Sequence, residues 1–200
     1  MVRAGLSTER LVRAGAELAD EAGFEQVTVS ALARRFDVKT ASLYSHLRNS
    51  HDLRTRIALL ALEELADRAA EALAGRAGKD ALTAFANAYR DYARAHPGRF
   101  EAARYRLDPE TAAASAGVRH AQMTRAILRG YDLAEPDQTH AVRLLGSVFS
   151  GYVGLESAGG FDHSAPGSQE SWERVLDALD ALLRNWPATP PPAPDPTGHR

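Results

Sequence analysis

The sequence predicts an all-α protein of about nine helices, because three observations agree. Apolar residues recur with the helical period, no alternating run is long enough to require a strand, and glycines and prolines divide the chain into helix-length pieces. The chain also contains no cysteine. Disulfide frameworks, thiolate metal sites and cysteine nucleophiles are therefore excluded.

Three short helices are predicted before residue 50. The first covers residues 7–22, where Ser7 is a suitable N-cap and Gly23 ends the helix. The second is very short and is capped by Thr28 or Ser30, and the third covers residues 39–47. Two short helices joined by a tight turn have the geometry of a helix-turn-helix, whose second helix enters the DNA major groove.

A larger helical unit is predicted to follow. Its first two helices are capped by Asn49 with Ser50 and by Asp80. Three further helices begin at prolines, which are tolerated in a first helical turn, and an amphipathic helix comes last. The six predicted ranges are 51–73, 80–95, 97–106, 109–130, 136–158 and 170–186.

The predicted organisation is a helix-turn-helix domain over residues 1–50, a helical effector-binding and dimerisation domain over 51–186, and a disordered proline-rich tail over 187–200. No apolar run approaches the roughly 18 residues of a membrane helix, and the first residues do not resemble a signal peptide. We therefore expect a cytoplasmic protein without a membrane partner.

Charge is unevenly distributed along the chain. The net charge is −2, but residues 26–56 contain six basic and two acidic side chains, which gives this segment a charge of +4. The remainder after residue 56 is acidic. A basic module on an acidic body favours a nucleic-acid partner, although an ordinary fluctuation in a short window has the same appearance.

The predicted second helix of the helix-turn-helix has a small polar exposed face. Short side chains allow close approach to the groove, hydroxyl groups can bond base edges or phosphates, and the Ala41 methyl can touch a thymine methyl. This candidate reading face consists of Lys39, Thr40, Ala41, Ser42, Tyr44, Ser45 and His46.

The stretch TVSALARRFDVKTASLYSHLRNSHDL closely resembles the DNA-binding domain of the tetracycline-repressor (TetR) family of bacterial transcriptional regulators. This resemblance implies phosphate contacts from Tyr44, His46 and Thr28, and it places Ser30 where some relatives read a base. The chain departs from the family pattern at two positions: Asp37 replaces the usual glycine of the turn, and Ser50, which the resemblance includes among the DNA-binding residues, stands where a lysine is common. A packing role remains the alternative for Tyr44 and His46.

The resemblance also implies a homodimer whose interface is made by the last two helices. Small residues recur every fourth position on one side of the penultimate helix, and the last helix has a clear apolar stripe. The predicted interface residues are Gly146, Ser150, Gly154, Trp172, Leu176, Leu179 and Leu183. Packing of the glycine row inside one subunit is the alternative.

Two downstream stretches, LLGSVFSGYVGLESAGGF and AYRDYARAHPGRF, resemble a TetR subgroup with a Trp-His-Gly type C-terminal domain. Gly146 and Ser150 stand where the Trp and His of that pattern are expected.

Aromatic residues are concentrated in the middle of the larger unit, as an apolar effector pocket with hydroxyl groups requires. Ordinary core packing explains each of them equally well. The scarcity of basic residues among them favours an uncharged or weakly polar effector, with Arg104 as one available counter-charge. The candidate pocket residues are Phe85, Tyr89, Tyr92, Phe100, Arg104, Tyr105, Met123, Ile127, Phe149 and Tyr152.

Other chemistry has little support in the sequence. The histidines form no i, i+4 pair, and phosphate-loop and nucleophile-elbow motifs are absent. We therefore expect a DNA-binding regulator, most simply a homodimeric repressor released from a palindromic operator by a small organic effector, with no metal, no cofactor and no enzymatic activity. The alternatives are a carboxylate-rich helical enzyme and a helical ligand-binding or protein-interaction scaffold that does not bind specific DNA.

Overall fold

The computed structural model describes residues 5–187, and every regular element in that range is helical. The predicted tail therefore lies outside the described residues, apart from its first position. Three single-turn 3-10 helices, Phe24–Gln26, Thr40–Leu43 and Arg129–Tyr131, accompany the α-helices. The nine α-helices of the described range are α1 (Thr8–Ala22), α2 (Val29–Arg35), α3 (Ser50–Leu73), α4 (Gly78–Ala95), α5 (Pro97–Ala102), α6 (Pro109–Ala113), α7 (Gly117–Leu128), α8 (Asp137–Ser157) and α9 (Ser168–Arg184).

Local capping determines where the first helices begin. The Ser7 hydroxyl accepts a hydrogen bond from the Arg10 amide, and Thr28 and Asn49 cap α2 and α3 in the same way. Gly23 ends α1 with a φ of 93°, a backbone conformation that glycine adopts without strain. The all-α prediction and these caps are confirmed.

Three predicted helices differ in the structure. The range 39–47 is a single 3-10 turn followed by turns, and 97–106 stops at Ala102. The range 109–130 divides into α6 and α7 because the Ser115 hydroxyl donates to the Ala112 carbonyl and accepts from the Gly117 amide, which competes with helical bonding. The predicted N-cap Asp80 instead lies inside the first turn of α4, whose N-cap is Ala77.

Helix α3 connects the two main hydrophobic cores. Its 24 residues extend over about 36 Å at 1.5 Å per residue. At its start, Leu53 and Ile57 are buried against α1, α2 and the 3-10 turn of residues 40–43. Toward its end, Ala69 joins the core formed by α4, α7, α8 and α9.

A second connection joins α1 to α5. Asp20, near the end of α1, accepts a hydrogen bond of 2.9 Å from the Arg99 amide in the first turn of α5. The His96 Nδ1 atom lies 3.2 Å from the same carboxylate. Gly98 is packed so tightly that a Cβ there would lie 2.0 Å from the Ala19 carbonyl oxygen. The backbones of α1 and α5 are thus in direct contact.

A buried ion pair joins α4 to α8. The guanidinium of Arg90 donates to both Glu156 carboxylate oxygens at 2.6 and 2.9 Å and to the Gln169 side chain at 2.7 Å. Only 3% of the Arg90 side chain is exposed. Hydrogen bonds from Arg90 lower the pKa of the Glu156 carboxyl from 4.5 to about 2.

We expect Glu156→Gln to lower the free energy of unfolding by about 3 kcal/mol at neutral pH, because it leaves a buried cation without its counter-charge. Since the folded-state pKa lies below the ordinary value, this stabilisation is present above about pH 4.5 and is lost as the pH falls toward 2. Urea unfolding from pH 7 to pH 3 should therefore show a steeper acid loss for the unmodified protein than for the variant. Asp177→Asn, which breaks an exposed pair with Lys79, is the control and should change little. Equal unfolding energies for Glu156→Gln and the unmodified protein would contradict the assignment.

Candidate nucleic-acid interface and ligand pocket

The segment from Lys39 to His46 presents polar side chains outward from a small apolar anchor. Leu43 and Leu47 are fully buried in the N-terminal core and hold the segment against α2 and α3. Tyr44 is 55% exposed, and Thr40 and His46 are half-buried. The remaining predicted reading residues, all exposed, are Lys39, Ala41, Ser42 and Ser45.

The tight turn before this segment depends on Asp37. Its φ is 50°, in the left-handed region that aspartate tolerates better than most residues. The Val38 amide donates to the Ala33 carbonyl at 3.0 Å and closes the end of α2. Asp37 therefore fills the place of the usual glycine without loss of the turn.

The start of α2 lies beside the start of α3. The Thr28 hydroxyl accepts from the Ala31 amide at 3.1 Å, and the Ser50 hydroxyl oxygen accepts from the Val29 amide at 3.3 Å. The hydroxyls of Thr28, a predicted phosphate contact, and of Ser50 thus also hold the two helices in place, and each retains a proton to donate. Ser30 is exposed on the first turn of α2.

Three of the six basic residues in the segment 26–56 form ion pairs with acidic side chains of the same subunit. Arg35 pairs with Glu17 and Glu21, and Arg54 and Arg56 have acidic partners as well. Within residues 5–187, the side chains of Lys39, Arg34 and Arg48 make no ion pair. Arg34 and Arg48 were not among the predicted site residues. In the sequence, only the excess positive charge of the segment indicated that they could contact DNA.

The structure does not gather the aromatic members of the predicted effector pocket into a single cavity, because they are distributed over three hydrophobic clusters. Phe85, Tyr89, Phe149 and Tyr152 belong to the body core, with ring centroids of Phe85 and Tyr89 5.0 Å apart. The aromatic character of these residues in the sequence could not show whether they pack in the core or line a cavity.

The other members of that set are also accounted for by packing. Tyr92 is fully buried and donates to Glu64 at 2.9 Å, and Phe100 is buried with the exposed Arg104 guanidinium 5.3 Å above its ring. Tyr105 packs edge-on against Phe24 in the N-terminal core. Met123 and Ile127 line a cavity of about 230 Å³ between α3, α4 and α7.

A larger pocket of about 540 Å³ lies between α3, α6 and α7. Of the predicted effector residues it contains Tyr105 alone. Beside it, the buried His120 imidazole lies 3.2 Å from the Leu62 carbonyl oxygen and 2.8 Å from the Tyr89 hydroxyl, and burial lowers its pKa. The lining residues are Leu62, Ala103, Tyr105, Leu107, Ala112, Ser115, Gly117, Val118, Ala121 and Arg125.

The apolar stripe of α9 is not available to a partner. It is buried in the core of its own subunit, which corrects the predicted role of Trp172, Leu176, Leu179 and Leu183 at a dimer interface. An amphipathic pattern predicts burial but does not say which surface covers it.

The small-residue row of α8 is open. A Cβ at Gly146, Gly151 or Gly154 would meet no atom within 4 Å, and Ser150 is half-buried. Leu155 is 56% exposed on the same helix. This surface has no partner within the described subunit.

Among residues 5–187, no helix is long and apolar enough to cross a membrane. The same range contains no cluster of three or more histidine, aspartate or glutamate side chains placed to hold a metal ion.

Comparison with known proteins agrees with this arrangement. Residues 11–54 match the family described as bacterial regulatory proteins, tetR family, and residues 82–179 match a tetracyclin repressor-like C-terminal domain. The uncharacterized HTH-type regulator Rv0681 of Mycobacterium tuberculosis is 35% identical over 80% of this chain and 74% of its own length. The uncharacterized HTH-type regulator YobS of Bacillus subtilis is 29% identical over 90% of this chain and 88% of its own.

Solved structures show the same fold. A TetR protein of Acinetobacter baumannii AYE in complex with minocycline has a TM-score of 0.68 at 21% identity, with 92% of this chain and all of that chain covered. BioQ of Mycobacterium smegmatis has a TM-score of 0.68 at 19% identity, over 90% of this chain and 99% of that one.

The exposed polar segment 39–46, held beside the short helix α2, and these matches together identify a helix-turn-helix transcriptional regulator. The chain belongs to the TetR family.

We expect Lys39→Gln and Arg48→Gln each to lower the steepness of log affinity against log salt by about 1. Each variant removes one cation that can contact a phosphate and release counterions. Fluorescence anisotropy on a random-sequence duplex, measured over a salt series, gives the slope of log affinity against log salt. Arg174→Gln, which removes an exposed charge from α9, is the control and should keep the original slope. Slopes for Lys39→Gln and Arg48→Gln equal to that of the control would place the DNA elsewhere.

Proposed function

We propose that this protein is a homodimeric repressor that acts on DNA in the cytoplasm. Each subunit inserts its segment from Lys39 to Ser45 into the major groove of a palindromic operator, and a small organic effector releases the complex. The observation that carries the proposal is the outward polar face of that segment, anchored by Leu43 and Leu47.

Two-fold symmetry fixes the geometry of such a complex. Two reading segments that enter successive major grooves on one side of the duplex lie about 34–36 Å apart. Within segment 26–56 of the described subunit, only Arg34, Lys39 and Arg48 make no ion pair, so we expect firm binding to need paired subunits. The operator is therefore expected to be an inverted repeat.

The dimer surface is assigned to α8 with the adjoining flank of α9. The open glycine positions of α8, Gly146 and Gly154, with the small, half-buried Ser150 between them, allow close approach of a second helix. On α9, Leu182 is 42% exposed next to the buried stripe. These exposed residues replace the buried α9 stripe in the proposed interface.

The pocket of about 540 Å³ is well placed to act on the DNA-binding domain. Leu62 on α3 forms one wall, and residues 103–107, which directly follow α5, form another. Both α3 and α5 contact α1, the latter through Gly98. A ligand that prefers one arrangement of these elements would change the spacing of the reading segments and so the affinity for DNA.

We expect the double variant Thr40→Ala, Tyr44→Ala to lose specific operator binding while it remains folded and dimeric. These two side chains can contact bases or phosphates, and neither fills the core. DNase footprinting on a selected inverted-repeat operator measures the loss, and sedimentation with urea unfolding serves as the control. A footprint identical to that of the unmodified protein would show that the reading face is wrongly assigned.

We expect Gly154→Leu to raise the dissociation constant of the dimer about tenfold or more, because the added side chain overpacks the helix contact by roughly 1–3 kcal/mol. Within one subunit the new Cβ meets no atom within 4 Å, so subunit stability should not fall. Analytical ultracentrifugation gives the constant, and Gly154→Ala provides the smaller step of the series. A dissociation constant of the leucine variant equal to that of the unmodified protein would place the interface on another surface.

A further inference from the structure

The pocket between α3, α6 and α7 extends along one side of α7. Gly117, Ala121 and Arg125 all line it, and their spacing of four residues puts them on a single helix face. Eight residues at 1.5 Å each make this face about 12 Å long. The pocket is therefore an elongated trough with a different residue type at each end.

One end of the trough is apolar. Val118 lies there, next to Gly117, and is 42% exposed although it is a large aliphatic residue, and Leu107 adds to the apolar lining. Leu62 and Ala121 continue the apolar surface toward the other end. Exposed aliphatic surface of this kind favours a hydrocarbon occupant.

The polar side chains of the lining other than Arg125 already have partners. The Tyr105 hydroxyl lies 2.8 Å from His51 Nδ1. The Ser115 hydroxyl donates to the Ala112 carbonyl and accepts from the Gly117 amide. A ligand therefore has little to gain from these polar atoms.

The other end carries a cation that is weakly neutralised. Arg125 Nε lies 3.7 Å from the Glu135 carboxylate, and its Nη2 lies 3.5 Å from the Thr139 hydroxyl. Arg119, one helical turn and a half earlier, is by contrast held by Glu63 and Asp67 at 2.6 and 2.9 Å. Arg125 is the single charged residue of the lining and has donors left for a bidentate contact.

We infer that this pocket binds an elongated apolar molecule with one terminal carboxylate. The carboxylate lies on Arg125, and the hydrocarbon body extends along Ala121 toward Leu107 and Val118. The inference rests on the proposed function for its biological role, since the same pocket is the proposed effector site. It replaces the expectation of an uncharged ligand, which assumed a pocket among the buried aromatic residues.

Isothermal titration calorimetry without DNA tests the ligand class. Decanoate, decanol and decylammonium, each kept below its micelle concentration, share one hydrocarbon body and differ in the charge of the end group. We expect decanoate to bind about tenfold or more tightly than decanol, because a charge-assisted contact to arginine adds to the same apolar burial. Decylammonium should bind most weakly. Equal affinities for decanoate and decanol would overturn the inference.

Three variants locate the binding site. Arg125→Gln should weaken decanoate about tenfold and leave decanol nearly unchanged, whereas Arg129→Gln, a matched loss of charge outside the pocket, should alter neither. Arg125→Glu should reverse the preference between decanoate and decylammonium. Ala121→Phe should weaken all ligands by filling the trough. Decanoate affinity that is unaffected by Arg125→Glu and Ala121→Phe would overturn the inference.

A separate measurement distinguishes failure of the proposed effector role from failure of the inferred ligand class. Release of operator DNA is followed by anisotropy with the same ligands. Arg125-dependent decanoate binding that does not release DNA would support the ligand class and contradict the effector role. Release by decanol with no advantage for decanoate would support the effector role and contradict the ligand class.

Discussion

The contact between Gly98 and the carbonyl of Ala19 is the constraint on which the rest of the arrangement depends. Any side chain at position 98 would place a Cβ 2.0 Å from that oxygen, so α5 and α1 meet backbone to backbone. The Asp20 carboxylate accepts from the first turn of α5 and fixes the direction of approach. The DNA-binding domain therefore has a defined position relative to the body in addition to its covalent connection through α3.

Arginine has two different uses in this chain. Arg90 and Arg35 form several short hydrogen bonds to acidic side chains, which suits a planar group with five donors. By contrast, the Arg34 and Arg48 side chains, on either side of the proposed reading segment, make no ion pair within residues 5–187. The charge of residues 26–56 correctly indicated a basic module, but it overstated the number of cations available to DNA, because sequence distance does not reveal the acids of α1 that neutralise Arg35.

The sequence predicted the fold class, the helix-turn-helix and the first helix caps, because these features depend on residues a few positions apart. Ser7, Thr28 and Gly23 are examples. The position of the proposed ligand pocket was not predictable in the same way: Tyr92 and Phe149 are aromatic residues of the kind that line pockets, yet long-range packing buries them in the core. The stripe that contains Trp172 was correctly expected to be buried, but only the tertiary structure shows that its own subunit covers it.

Within the short segment 39–47, the residues that maintain the fold differ from those proposed to contact DNA. Leu43 and Leu47 face inward and maintain the structure, while Ala41, Ser42 and Ser45 face outward and make no contribution to the core. Under the proposed mode of DNA binding, substitutions at the outward positions after gene duplication would redirect a copy to a new operator with little loss of stability. The same separation makes this regulator a suitable scaffold for engineering DNA specificity by changing a few neighbouring codons.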